Sequence, residues 1–279
     1  MTAAPAAARA DAARADAIEA MAFADLFAAA PHPLAQRLGL GVDHDDGTLG
    51  LRAAALPVTI FNRVIGFGDR PTHDAALLQR IAGRYRQAGI GHWWLHHNPV
   101  TAQPGSGALL QAAGLVPARR RRWAKMLRGV EPLDVSTTLQ LHPATGAEAV
   151  AVAGCIAQSF GMPPPIVDWL AALRGRPGWT VLAICDGGTP VGGACLYVHA
   201  DTGWLGMGGV LPSHRRRGGQ LASMALRIAG AAAAGCRAVA TETGEPVDGE
   251  PNPSLANMAR AGFRHVASRY NLEPGPQPA

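Results

Sequence analysis

The chain has 279 residues, 48 % of them hydrophobic and 16 % charged, which is apolar enough to build a core and excludes wholesale disorder. Its 34 glycines and 22 prolines follow no Gly-X-Y period, so collagen is excluded and many turns are expected. The net charge of +5 points to an anionic partner, and the length suits about two domains.

Residues 1–20 are Ala-rich and interrupted by Asp11, Asp16 and Glu19. They read as a helix or a frayed arm, since a secretory signal needs an apolar stretch there and a transit peptide avoids acids. No apolar run approaches the ~18–20 residues that span a bilayer, so no membrane partner is expected. Cys155, Cys185, Cys195 and Cys236 are far apart with no C-x-x-C, which predicts reduced thiols and a cytoplasmic setting.

Residues 21–130 read as a first domain. Its segment Gly66-Phe67-Gly68-Asp69-Arg70-Pro71-Thr72-His73-Asp74 joins a strand to a helix. The helix carries Arg80-Ile81-Ala82-Gly83, and a β-rich run with His96-His97 follows. Adjacent strand residues point to opposite faces, so the two histidines do not predict a metal site. Arg119–Arg122 reads as a charged edge strand. Residues 131–137 read as a linker.

Residues 138–272 punctuate cleanly. Thr138–Leu141 predicts a strand, Ala147–Phe160 an amphipathic helix and Pro164–Leu173 a second. Trp179–Cys185, Val191–His199 and Gly203–Val210 predict three antiparallel strands, the first two joined at Asp186-Gly187-Gly188. A loop with three arginines leads to a helix over 220–234, then a strand over 237–242, a helix over 254–261 and a strand over 264–272. Residues 273–279 read as a disordered tail. The fold class is α/β with a mixed, mostly antiparallel sheet in each half. Arg227-Ile228-Ala229-Gly230 repeats Arg80–Gly83, and neighbouring landmarks recur at nearly the same offset, which predicts one fold used twice.

The stretch Gly208-Gly209-Val210-Leu211-Pro212-Ser213-His214-Arg215-Arg216-Arg217-Gly218-Gly219-Gln220-Leu221 carries the chemistry. A helix N-terminus offers unpaired backbone N–H groups and a positive dipole, and glycines let a phosphate approach them. The arginines add charge-assisted hydrogen bonds. There is no GKS or GKT ending and no GxGxxG, which argues against a nucleotide P-loop or dinucleotide site.

The run Val210-x-Pro-x-x-Arg-x-x-Gly resembles motif A of the GNAT superfamily of acyl-CoA-dependent N-acyltransferases, and Asn252-Pro-Ser through Ala261-Gly262-Phe263 resembles its motif B. The resemblance covers about Thr138–Leu272. It implies a sheet splayed between its fourth and fifth strands, with the thioester in the gap against backbone near Met207–Val210. It further implies acetyl-CoA bound by Gly208, Gly209, Val210, Arg215, Arg216, Arg217, Gly218, Gly219, Gln220 and Leu221, with Asn252, Ser254 and Asn257 contributing from the second motif. No metal is implied. Two positions depart from the family pattern. Gln220 stands where motif A ends in a small residue, and Met258 stands where a tyrosine frequently serves as general acid.

The strand-to-helix segment Gly66–Asp74 of the first half has one Arg, two acids and no Arg-x-x-Gly, so one CoA site is expected rather than two. Glu242 is the first candidate for the base that deprotonates an attacking ammonium, and Tyr270 is the second candidate catalytic residue. The leading reading is an N-acetyltransferase acting on a small-molecule or peptide amine by direct attack. A non-catalytic acyl-CoA sensor and a nucleic-acid-associated modifier using Arg119–Arg122 are the competing readings.

Overall fold

The computed structural model describes residues 5–247 and 249–276, except the side chains of residues 120 and 121. The first half contains α1 (Ala6–Ala28), α2 (His32–Leu38), β1 (Leu40–Asp45), β2 (Thr48–Ala53), β3 (Arg63–Ile65), α3 (Ala75–Gln87), β4 (Trp94–His97), α4 (Ser106–Ala112) and β5 (Leu115–Arg128). The second contains β6 (Gln140–Pro143), α5 (Ala149–Ser159), α6 (Pro165–Ala171), β7 (Trp179–Asp186), β8 (Thr189–His199), β9 (Thr202–Val210), α7 (Gly219–Ala233), β10 (Ala238–Gly244), α8 (Pro253–Arg260) and β11 (Arg264–Pro274).

All strands join one 11-stranded sheet in the order β1-β2-β3-β4-β11-β5-β10-β9-β8-β7-β6. The two halves repeat one plan. In each, a strand pairs in parallel with the next across a helix: β3 with β4 over α3, and β9 with β10 over α7. A helix and a long strand then follow, α4 and β5 in one half, α8 and β11 in the other.

The halves are interlocked. β11 lies between β4 and β5, and β5 lies between β11 and β10. Each half thus lends its last strand to the other. From Ala124 to Leu127 β5 is buried on both faces, with Ala124 and Met126 toward one core and Lys125 and Leu127 toward the other side. That is the pattern of an interior strand.

Three expectations are corrected here. The helix expected near the N-terminus is present but its end is corrected: α1 starts at Ala6, runs unbroken to Ala28 and buries Ile18, Phe23, Leu26 and Phe27 in the main core. β5 is not an edge strand. Its basic run lies where five steps of β5, Pro117 to Arg122, oppose two of β11, Leu272 to Tyr270, so it bows out of the ladder. Arg122 there pairs with Glu245 at 2.9 Å, while the Arg120 and Arg121 side chains lie outside the described residues. The tail is ordered further than expected, because Glu273 and Pro274 pair with Val116 and Leu115. Residues 277–279 lie outside the described residues.

α1, α5 and α6 share one core on one face of the sheet, and α7 and α8 cover the other. All four cysteines are free thiols. Among the described residues no helix is long and apolar enough to cross a membrane.

Candidate active site

The sheet opens between β9 and β10. Their parallel ladder runs only from Thr202–Ala238 to Trp204–Ala240. The Thr241 hydroxyl then donates to the Leu205 carbonyl at 2.8 Å, just past the end of the ladder. Beyond it β9 continues to Val210 and β10 to Gly244 without pairing to each other, each held only by its outer neighbour, β8 or β5. The other edge of β9 carries a bulge. Gly193 faces Gly209 and Cys195 faces Gly206, so Met207 and Gly208 together oppose Ala194. Met207 takes φ +50°, a left-handed conformation rare for a side chain of its size. The bulge thus breaks the β8–β9 register alongside the gap.

After β9 the chain makes a short 3₁₀ turn, Pro212–His214, and enters α7 through Gly218. Gly218 has φ +79°, and a Cβ there would sit 2.6 Å from the Ser136 carbonyl oxygen. The loop therefore needs glycine at this position for its own packing, before any ligand is considered. No side chain caps α7. Among the described residues, the backbone N–H groups of residues 216–221 donate to no acceptor. Unpaired N–H groups with a positive helix dipole behind them are suited to an anion.

The arginines of the loop divide. Arg215 and Arg216 are exposed, and Arg215 Nε reaches back to the Val210 carbonyl at 3.2 Å. Arg217 does not face the cradle. Its guanidinium makes two bonds to Asp186, at 2.7 and 3.0 Å, and one to the Thr138 hydroxyl, clamping the loop to the far strands. That pair holds the Asp186 carboxyl below its ordinary range.

The side chains expected from the second motif also serve the protein. Asn252 caps α8, accepting from the Ser254 and Leu255 N–H groups, and its amide donates to the Thr243 hydroxyl and the Gly244 carbonyl. Gln220 donates to Ser254 Oγ at 3.0 Å and accepts from Asn257. It thus ties the start of α7 to α8, which accounts for glutamine where the family motif has a small residue. Met258 is buried in the core shared by α7, α8 and β5, beside Met126 and Phe263.

Glu242 stands on β10 and is enclosed. Its side chain is 7 % exposed. It accepts from Lys125 Nζ at 3.0 Å, and from Trp204 Nε1 at 3.1 Å to each oxygen. Lys125, the only lysine in the sequence, also reaches Glu19 of α1 at 2.6 Å. Arg63 and Arg269 close the network onto Glu19 and Asp16. Burial alone would raise the Glu19 carboxyl, but Arg269, Lys125 and Arg63 together hold it well below the usual range. Burial, helped by the charge of Glu19, raises Glu242, and Lys125 offsets this only in part. Sequence reasoning missed this network. The signal was present in a lone lysine within a strand and in acids at i, i+3 on an Ala-rich helix. Tyr270 is exposed on β11, with β5 between it and β10, roughly 10 Å of strand spacing from the near side of the gap.

In the first half the same plan carries no cradle. Asp74 caps α3, accepting from the Leu77 N–H at 2.8 Å, and the Gly68 N–H is taken by His73 Nδ1. His96 and His97 point apart, one to Arg63 and Asn271, the other to Ser106.

Residues 154–263 match the acetyltransferase (GNAT) family. The second half carries a GNAT domain. The fold of the whole chain is similar to a GCN5-related N-acetyltransferase from Kribbella flavida, with a TM-score of 0.62 and 18 % identity over 85 % of this chain and 90 % of that one. It is also similar to a GCN5-related N-acetyltransferase from Sphaerobacter thermophilus, at TM-score 0.58 and 18 % identity over 77 % and 74 % of the two chains. A tandem GNAT protein from the clavulanic acid biosynthesis pathway aligns at TM-score 0.56 and 17 % identity, over 77 % of this chain and 76 % of that one. No curated protein matches the sequence.

Proposed function

We propose that the chain is an acyl-CoA-dependent N-acyltransferase that moves an acetyl group from acetyl-CoA to a primary amine. The observation that carries this reading is one juxtaposition in the GNAT domain: the β9–β10 gap, with its bulge at Met207, opens beside an uncapped helix whose N–H groups at 216–221 are free. The pyrophosphate of CoA lies on those N–H groups, with Arg215 and Arg216 above it. The acyl end enters the gap against the backbone of residues 207–210.

The amine nitrogen attacks the thioester carbonyl carbon and forms a C–N bond, while the carbonyl becomes an oxyanion on the β9 backbone. Collapse restores the carbonyl and breaks the C–S bond, and the CoA thiolate leaves, taking up the second proton shed by the nitrogen to become the free thiol. A thiol of pKa near 8.5 leaves readily without a dedicated acid, so Met258 in the family's tyrosine place does not block the step. The proton lost by the ammonium is assigned to Glu242. Both oxygens of Glu242 are already engaged, so the transfer runs through a water molecule rather than by contact.

Turnover of acetyl-CoA against a panel of amines tests the reading. Amine-dependent release of free CoA thiol supports it. Saturable CoA binding with no thiol released on any amine would instead favour an acyl-CoA sensor, the reading that the buried Met258 favours.

A further inference from the structure

Arg227 lies on α7 under the β9 bulge, and the chemistry above does not use it. Its side chain is fully enclosed, with 4 % of the residue exposed. Nη1 donates to the Cys195 carbonyl at 3.1 Å and to the Gly206 carbonyl at 3.2 Å. Cys195 and Gly206 are the paired residues from which the bulge departs. Nε and Nη2 bond to the carbonyl and hydroxyl of Ser223. A side chain at Gly208, within the bulge, would begin 3.3 Å from Nη2, so the guanidinium sits directly beneath the backbone that faces the gap.

The charge of this arginine is uncompensated. Arg63 and Arg269, the other buried arginines, each contact the Glu19 carboxylate. Among the described residues no carboxylate lies within ion-pair distance of Arg227, and all its partners are neutral oxygens. The nearby Cys195 thiol is pushed up to about 12 by burial, so it brings no negative charge. Burial likewise lowers the Arg227 guanidinium to about 10, which leaves it a cation at neutral pH. Enclosing a lone cation is strongly unfavourable unless negative charge arrives beside it.

We propose that Arg227 is a positioning residue for acyl transfer: it pins the β9 bulge through two carbonyls and supplies the positive charge against which oxyanion and leaving thiolate develop. The inference rests on the proposed function, because that reading puts both charges in the gap. The repeat makes the specialisation visible. Arg80, in the same Arg-Ile-Ala-Gly motif of α3, is exposed on the surface.

The test compares wild type with Arg227→Met and Arg227→Lys by CoA binding, single-turnover acyl transfer and ultraviolet titration of the bound CoA thiol. We expect Arg227→Met to bind CoA within about threefold of wild type and to transfer at least about thirtyfold more slowly. The lysine variant should recover much of that loss. In wild type the bound thiol should titrate about one unit below free CoA, and the methionine variant should lose that depression. A methionine variant that melts lower yet transfers within about threefold of wild type makes Arg227 a mere structural tie and overturns the inference. If that variant fails to fold, the wild-type titration decides, since an unshifted bound thiol also overturns it. A depressed thiol without turnover on any amine sinks the proposed catalysis but sustains the role of the charge. Failure of wild type to bind CoA sinks the proposed function and this inference with it.

Discussion

α3 and α7 begin at equivalent points of a repeated plan and treat their N-termini in opposite ways. α3 is closed by its own carboxylate, Asp74, on the Leu77 N–H. The loop before it is satisfied internally through His73, whose Nδ1 accepts from Gly68 and whose Nε2 meets the Asp46 carbonyl. α7 is entered by a left-handed glycine with no cap. One helix start meets its needs from the chain, while the other leaves them open for an anion. The same plan of elements recurs in both halves, and a few residues at one turn make the two helix starts differ.

The comparison breaks most readily at Gly218. A Gly218→Val variant meets the Ser136 carbonyl and a backbone conformation that valine avoids. Calorimetric titration should find CoA affinity lowered at least about a hundredfold. An unchanged affinity would remove the turn from the binding account.

The interlocking of the halves gives the next largest effect. Lys125→Met leaves Glu19 and Glu242 buried without their shared partner. Denaturant unfolding should report a loss of about 3–5 kcal/mol. A loss below about 1 kcal/mol would mean that the network does not bind the halves together.

Asp69 sharpens the contrast between the two loops, since burial raises its carboxyl to about 6 in the first half, where the second half carries arginines. The folded value lies above the ordinary 3.8. Its stabilising contribution is therefore complete below pH ~4 and lost as pH rises through about 6, because the unfolded chain ionises first. At pH 7 the cost is up to about 3 kcal/mol. Asp69→Asn should flatten the stability profile between pH 4 and 7, and a profile identical to wild type would contradict this.

The smallest effect belongs to Asp74→Ala. It should cost about 1 kcal/mol in stability, as a lost helix cap does, with CoA affinity unchanged. A second CoA bound by this variant would mean that the cap alone kept the first half closed.

The elements themselves were largely legible in the sequence. The three strands between Trp179 and Val210 and the helix after Gly218 follow from β-rich runs, turn residues and glycine stops, which are local signals. The exchange of β5 and β11 was not legible, because strand pairing across more than a hundred residues leaves no local trace. The site was legible as a turn but not as a set of side chains. Three consecutive arginines read alike in sequence, yet only the fold brings Asp186 against Arg217 and leaves Arg216 in solvent. Asn252, Ser254 and Asn257 read as ligands, and the fold gives them a cap and a clasp on Gln220. Arg227 read only as a landmark of the internal repeat, since its burial depends on where α7 lies against β8 and β9.

The most direct test of one cradle in two copies is a crystal structure of the chain with CoA bound. The account predicts one CoA per chain, its pyrophosphate oxygens within hydrogen-bond reach of the N–H groups of residues 216–221 and its thiol in the gap beside Met207 and Gly208. A pyrophosphate held elsewhere, or a second CoA at the start of α3, would contradict it.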